Sequence, residues 1–174
     1  MAFTSKLGDG QRAERKLLIT VAELADDTTK RQVLGARVED SSIELNADVA
    51  TSTDILGKTY TDVNKTEPQQ SFDPSYIMGD NWLTDYLTQA ALENNKNAYN
   101  GTFNIYTIAA WLENSAGSYY ATKQTGCSII PQSLGGDSFV GLPFDVYFSN
   151  DITVGSVDKL GDDFIFTPET FAAN

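Results

Sequence analysis

One cysteine, Cys127, and twenty-four Asp or Glu residues are the side chains here that could act as nucleophile, acid or base, and the chain has no histidine. A lone cysteine cannot form an internal disulfide. Cys127 lies between Gly126 and Ser128 in a β-like run, and without a histidine to take its proton it reads as a small buried hydrophobe rather than a nucleophile. The same lack excludes Ser-His-Asp triads and His-ligated zinc or iron. Glycoside hydrolysis would need two facing carboxylates, and no spacing among the acids selects such a pair. Gly8-Asp9-Gly10 and Gly135-Gly136-Asp137 lack the alternating ligands and closing Glu of a calcium loop, so both read as loops. Trp82, Trp111, Tyr119 and Tyr120 could stack a sugar, but their place in apolar stripes favours a core. No P-loop, dinucleotide fingerprint, CxxC pair or HExxH occurs. The residues therefore predict no enzyme, no cofactor and no metal.

Charge is the stronger signal. The net charge is −12, and it is unevenly placed. Residues 1–37 hold seven Lys or Arg against five acids, whereas from Val38 onward five lysines face nineteen acids, a balance of −14. Such a field repels nucleic acid and favours solubility. Apolar residues make up 41% of the 174 residues, enough for one domain with its own core. The longest apolar run is a few residues, too short to span a bilayer. The first residues lack the apolar core of a secretory signal, so a cytoplasm, or a particle assembled there, is the expected location.

Several elements must position these residues. Residues 1–14 are polar and predict a loose arm. Arg15–Leu24 alternates as a first strand, Asp26–Thr29 forms a turn, and Gln32–Glu39 can pair back, with Gly35 a possible bulge. Ile43, Leu45, Ala47 and Val49 alternate with polar residues, the pattern of a strand with one buried face. Thr51–Ile55 and Lys58–Val63 predict the two arms of a projecting hairpin over 51–63, closed downstream by Pro74. A two-stranded hairpin is marginal alone and needs a partner. Asp80–Asn95 predicts the single helix, capped by Asp80, with Leu83, Tyr86, Leu87, Ala90 and Ala91 on one face. Asn100–Leu112 is apolar on both faces, with Ser118–Ile130 as its antiparallel partner and Gly126 a bulge. Phe139–Phe148 predicts an edge strand or one with an interrupted pairing, because Pro143 cannot donate to a ladder. Ile152–Leu160 and Phe164–Phe166 supply the last strands, before a tail at 169–174.

This order of features, with the run ELN…TDILGKTYTDVNKTEPQQSFDP before the helix, a central strand pair and a closing GxV…FTP, resembles the major tail tube proteins of long-tailed bacteriophages. The resemblance covers roughly residues 41–168. It implies a mainly β fold, a β-sandwich or half-barrel with one packed helix, in a single domain over 15–168. It further implies subunits in rings, six to a ring, stacked into a tube whose acidic lumen conducts the genome. The tube would lie in the virion tail, assembled in the host cytoplasm. Partners would be other copies and the tape measure, tail tip and terminator proteins, with DNA only in passage and no membrane.

Under that resemblance Glu39, Glu44 and Asp48 are the lumen candidates. Asp54, Ile55, Leu56, Lys58 and Tyr60 are the ring-stacking candidates. Lys6, Arg12 and Arg15 would carry arm contacts to an acidic neighbour. Competing readings are a carbohydrate-binding or adhesin-like β-sandwich module, and another virion β-protein such as a decoration or tail terminator subunit.

Overall fold

The computed structural model describes residues 2–169. Its twelve strands are β1 (Phe3–Ser5), β2 (Leu18–Leu24), β3 (Asp27–Val33), β4 (Ile43–Glu44), β5 (Ala47–Thr53), β6 (Thr59–Thr66), β7 (Gln69–Phe72), β8 (Phe103–Asn114), β9 (Tyr119–Pro131), β10 (Phe144–Tyr147), β11 (Ile152–Val157) and β12 (Phe166–Pro168). One helix, α1, spans Trp82–Leu92. The fold is mainly β, and every strand pairing is antiparallel.

The long strand β9 belongs to two sheets. Its first half, Tyr119–Gln124, lies between β8 and β11, while Ser128–Pro131 pairs with β10. Gly126 stands between the halves at φ 72, a conformation glycine adopts without steric cost, and the β8–β9 register shifts opposite it. One sheet therefore runs β3-β2-β8-β9-β11-β12 and the other β4-β7-β10-β9. They fold over each other as a half-open sandwich. Ala22, Phe72, Phe103, Ile105, Ile129 and Val146 fill the space between them, closed by Leu83 and Leu87 of α1. Burying each of those leucines contributes about 1.5–3 kcal/mol.

The far face of the first sheet carries a second core of Val21, Tyr106, Ile108, Ala121, Val157 and Phe164. Here register creates a charge cluster. Arg31, Glu23 and Asn104 pair directly across β3, β2 and β8, and Tyr106 pairs with Lys123 of β9 in the neighbouring row. The fully buried Glu23 accepts from Arg31 Nε at 2.7 Å, Asn104 Nδ2 at 2.9 Å and the Tyr106 hydroxyl at 3.1 Å, with Lys123 Nζ 3.8 Å away. Arg31 also donates to the Phe164 carbonyl at 2.5 Å and lies over the Phe164 ring, tying the 158–165 segment onto the sheet. Burial, followed by the Glu23 charge, pushes the Tyr106 hydroxyl well above its ordinary pKa, so it stays a donor.

Several local expectations are corrected. The second strand starts at Asp27, not Gln32: the turn is tighter, Leu24 pairing with Asp27, and the polar DTTKRQ run is half-exposed at the sheet edge. The 43–49 stretch has no continuous buried face, because Asn46 breaks it at φ 45 and leaves Leu45 and Val49 exposed. The helix cap is Asn81, whose side chain accepts from the Thr84 amide at 3.3 Å, while Asp80 takes a left-handed turn at φ 66. Of the two readings of 139–148 the edge strand is overturned: β10 begins only after Pro143, where pairing is interrupted, and is flanked by β9 and β7. Residues 3–5 are not a loose arm. They extend the edge of β8 that β2 leaves open beyond Ala109. The expected tail beyond residue 169 lies outside the described residues.

Removing one partner from a buried ion pair strands the other charge. Arg31→Ala should therefore lower stability in urea unfolding by about 3 kcal/mol. A loss below about 0.5 kcal/mol, the range of an indifferent surface change, would show that the cluster does not anchor the far face.

Candidate functional site

The hairpin of β5 and β6 forms a separate two-stranded sheet. All of its residues from 47 to 65 are exposed except the half-buried Asp54. Val49 opposes Val63 and Thr51 opposes Thr61 on one face, and Ser52 opposes Tyr60 on the other. Its Val, Thr and Tyr content suits strands, yet no burial supports it. Its base is fastened instead by hydrogen bonds, from the Glu67 amide to the Leu45 carbonyl at 3.1 Å and from Asn46 Nδ2 to the Glu67 carbonyl at 3.1 Å. The sequence expectation of 51–63 was shorter than the 47–66 found, because propensity does not mark where a hairpin parts from its sheet.

The tip, residues 54–58, is built around one carboxylate. Asp54 accepts from the amides of Leu56 and Lys58, both at 2.9 Å, and from the Tyr60 hydroxyl at 3.2 Å. Its own amide donates to the Lys58 carbonyl at 3.0 Å. Gly57, at φ 78, supplies the left-handed position that closes so tight a loop. The Lys58 amide, with further help from Leu56 and Tyr60, holds the Asp54 carboxyl below its usual range. Ile55 and Leu56 are left with nothing to pack on: they are 102% and 87% exposed. Two bare aliphatic side chains on an ordered turn form an apolar contact point rather than a catalytic centre.

The structure brings the stacking candidates Asp54, Ile55, Leu56, Lys58 and Tyr60 together at this tip, with Lys58 Nζ 5.1 Å from the Tyr60 ring centroid. It does not gather the lumen candidates into one cluster. Glu39 borders a cavity at the mouth of the sandwich, Glu44 lies on β4, and Asp48 accepts from Asn64 Nδ2 at 3.3 Å on the hairpin. Among the arm residues, Lys6 pairs with Glu113 and faces the Tyr119 ring. Arg15 donates to the carbonyls of Ser41, at 2.6 and 3.0 Å, and of Leu18 at 2.6 Å. Both therefore bind their own chain in this structure, and only Arg12 extends into solvent without a polar contact among the described residues. Cys127 is fully buried and burial pushes its thiol up, as suits a packing role.

Sequence reasoning missed two features. The Glu23 cluster had one signal, an acid inside the apolar run LITVAEL. The mouth cavity had none, since its walls come from β2, the 33–41 segment and β7.

No protein-family model and no curated sequence matches the chain. Among solved structures it is similar to a chain of the sheath-tube complex of an extracellular contractile injection system, PVC, in its extended state. That match has 11% identity, covers 79% of this chain and 88% of the other, and has a TM-score of 0.44. A chain of the tube-terminating cap of the anti-feeding prophage, AFP, matches at 13% identity over 79% and 87% of the two chains, with a TM-score of 0.42. A chain of the PVC sheath/tube terminator matches at 13% identity over 78% and 91%, also with a TM-score of 0.42.

Asp54→Ala should loosen the tip without unfolding the domain, seen as faster hydrogen exchange at the Leu56 and Lys58 amides. Because the folded-state pKa of Asp54 is depressed, its contribution is full above the unfolded value of about 3.9. That contribution is lost as pH falls through the lower folded value. Amide shifts of Leu56 and Lys58 should titrate together below pH of about 4; no joint titration would mean the carboxylate does not organise the turn.

Proposed function

We propose that this chain is a non-enzymatic structural subunit of a bacteriophage tail tube. Rings of subunits, six to a ring, stack through the hairpin, and the acidic lumen conducts the genome during ejection. The observation that carries the reading is the hairpin: a long exposed two-stranded arm ending in an ordered turn with Ile55 and Leu56 bare. An isolated hairpin of this kind is marginal in water, and covering its tip against another copy removes that apolar surface from solvent. The balance of −14 beyond Val38 supports a wall that repels DNA in passage. The resemblance of residues 41–168 to tail tube proteins supports the same reading. Glu44 and Asp48, both exposed, are proposed for the lumen wall. Other tail proteins would meet the tube at its ends.

Negative-stain microscopy of the purified protein over a concentration series, with and without tail-tip complexes, is expected to reveal rings or hollow tubes. Leu56→Asp should abolish stacking while changing stability by no more than about 0.5 kcal/mol, as for a surface substitution. A persistent monomer under all these conditions would overturn the proposal. Within the tube, Glu44→Lys with Asp48→Lys should slow genome ejection, and an unchanged ejection rate would remove both residues from the wall.

A further inference from the structure

At the mouth of the half-open sandwich lies a cavity of about 310 Å³ between β2, the segment after β3, and β7. Its walls include the half-buried Leu18, Leu34 and Val38 beside Phe72, while Ile19 and Val33, also at its lining, pack their side chains on the second core. Its floor is held in shape by the buried Gln70, bonded to the Thr20 hydroxyl at 2.9 Å and the Ser41 hydroxyl at 3.1 Å. Arg15, Lys16 and Glu39 stand at its lining. Arg15 donates only to neutral carbonyls, so its positive charge is not cancelled by those bonds.

We propose that this cavity is the socket for the Ile55-Leu56 tip of a second copy. The proposal rests on the tube reading and adds to it the surface that receives the hairpin. The match is two-sided. The tip presents two aliphatic side chains flanked by the anion Asp54 and the cation Lys58. The socket presents aliphatic walls flanked by the cation Arg15, by Lys16, whose ammonium pairs with the exposed Glu14 at 2.6 Å, and by the anion Glu39. Apolar burial supplies the attraction, and the flanking charges set orientation.

The tip does not fill its own socket: Ile55 and Leu56 are bare, at the end of a hairpin that stands apart from the main sheet. Contact between unlike patches on copies of one chain is head-to-tail, so it builds a ring or an open stack rather than a two-fold dimer, and the tube reading assigns it to the stack. The fourteen residue-to-residue steps from Leu56 to Gln70, fully extended at about 3.3 Å each, span about 46 Å, which bounds the distance between successive copies along the stack.

Disulfide trapping tests the assignment. Leu56→Cys at the tip is combined with Lys16→Cys at the socket rim, both exposed, and the native Cys127 is buried. The double variant is oxidised and run on a non-reducing denaturing gel beside each single variant, with microscopy of the same samples. The expected result is a ladder of dimers, trimers and higher species in the double variant alone. Tubes without a ladder would overturn the socket and leave the tube reading standing. A ladder-free sample that also forms no tubes, with tail-tip complexes added, would overturn both. Dimers from Leu56→Cys alone, matching those of the double variant, would show tip-to-tip contact and likewise overturn the socket.

Discussion

The architecture depends on a single strand serving two sheets. β9 keeps β8 and β11 on its first half and β10 on its second, and the turn at Gly126 redirects it between them. Because β10 and β11 follow one another along the same edge of β9, the bend is imposed on both at once, and the two sheets must fold over a common core. A sheet bent this way has an open mouth where its outer strands diverge. The cavity between β2 and β7 is that mouth.

The far face of the first sheet solves a different problem. β2 and β8 are covered on both faces, so a charged residue pointing outward from β2 is nevertheless buried. Glu23 is retained there because pairing register delivers Arg31 and Asn104 from its two neighbouring strands and Tyr106 from the next row. A buried carboxylate costs free energy unless it is paired and hydrogen-bonded, and here each partner arrives by geometry rather than by chance. Arg31 then extends the same network to Phe164, so the segment covering the second core is held by the charge beneath it.

The hairpin is the opposite case. It has hydrogen bonds and an ordered turn but no burial, and its apolar residues point into solvent. Burial within the single chain does not account for such an element, whereas the proposed assembly would. The physical division is clear: the sandwich is stabilised by its own two cores, and the hairpin contributes to neither. That division is why the assembly reading centres on the tip and the mouth rather than on any cluster of titratable groups.

Much of the fold was legible in the residues themselves. The doubly apolar pattern of 100–112 announced a strand buried on both faces, its partner at 118–130 and the break at Gly126 followed from turn chemistry, and the apolar stripe of the helix identified its core face. These are local periodicities, and burial of one face enforces them. What the sequence misjudged were positions decided by partners distant in the chain. β3 begins early because β2 lies beside it, residues 3–5 join the sheet because β8 offers an open edge, and β10 is internal because β7 returns to it. The apolar pair and the glycine at 55–57 pointed to a hairpin, and the structure has one there, but the exposure of Ile55 and Leu56 is a property of the fold. The Glu23 network and the mouth cavity were decided by tertiary structure alone, since each is assembled from segments brought together only when the two sheets close.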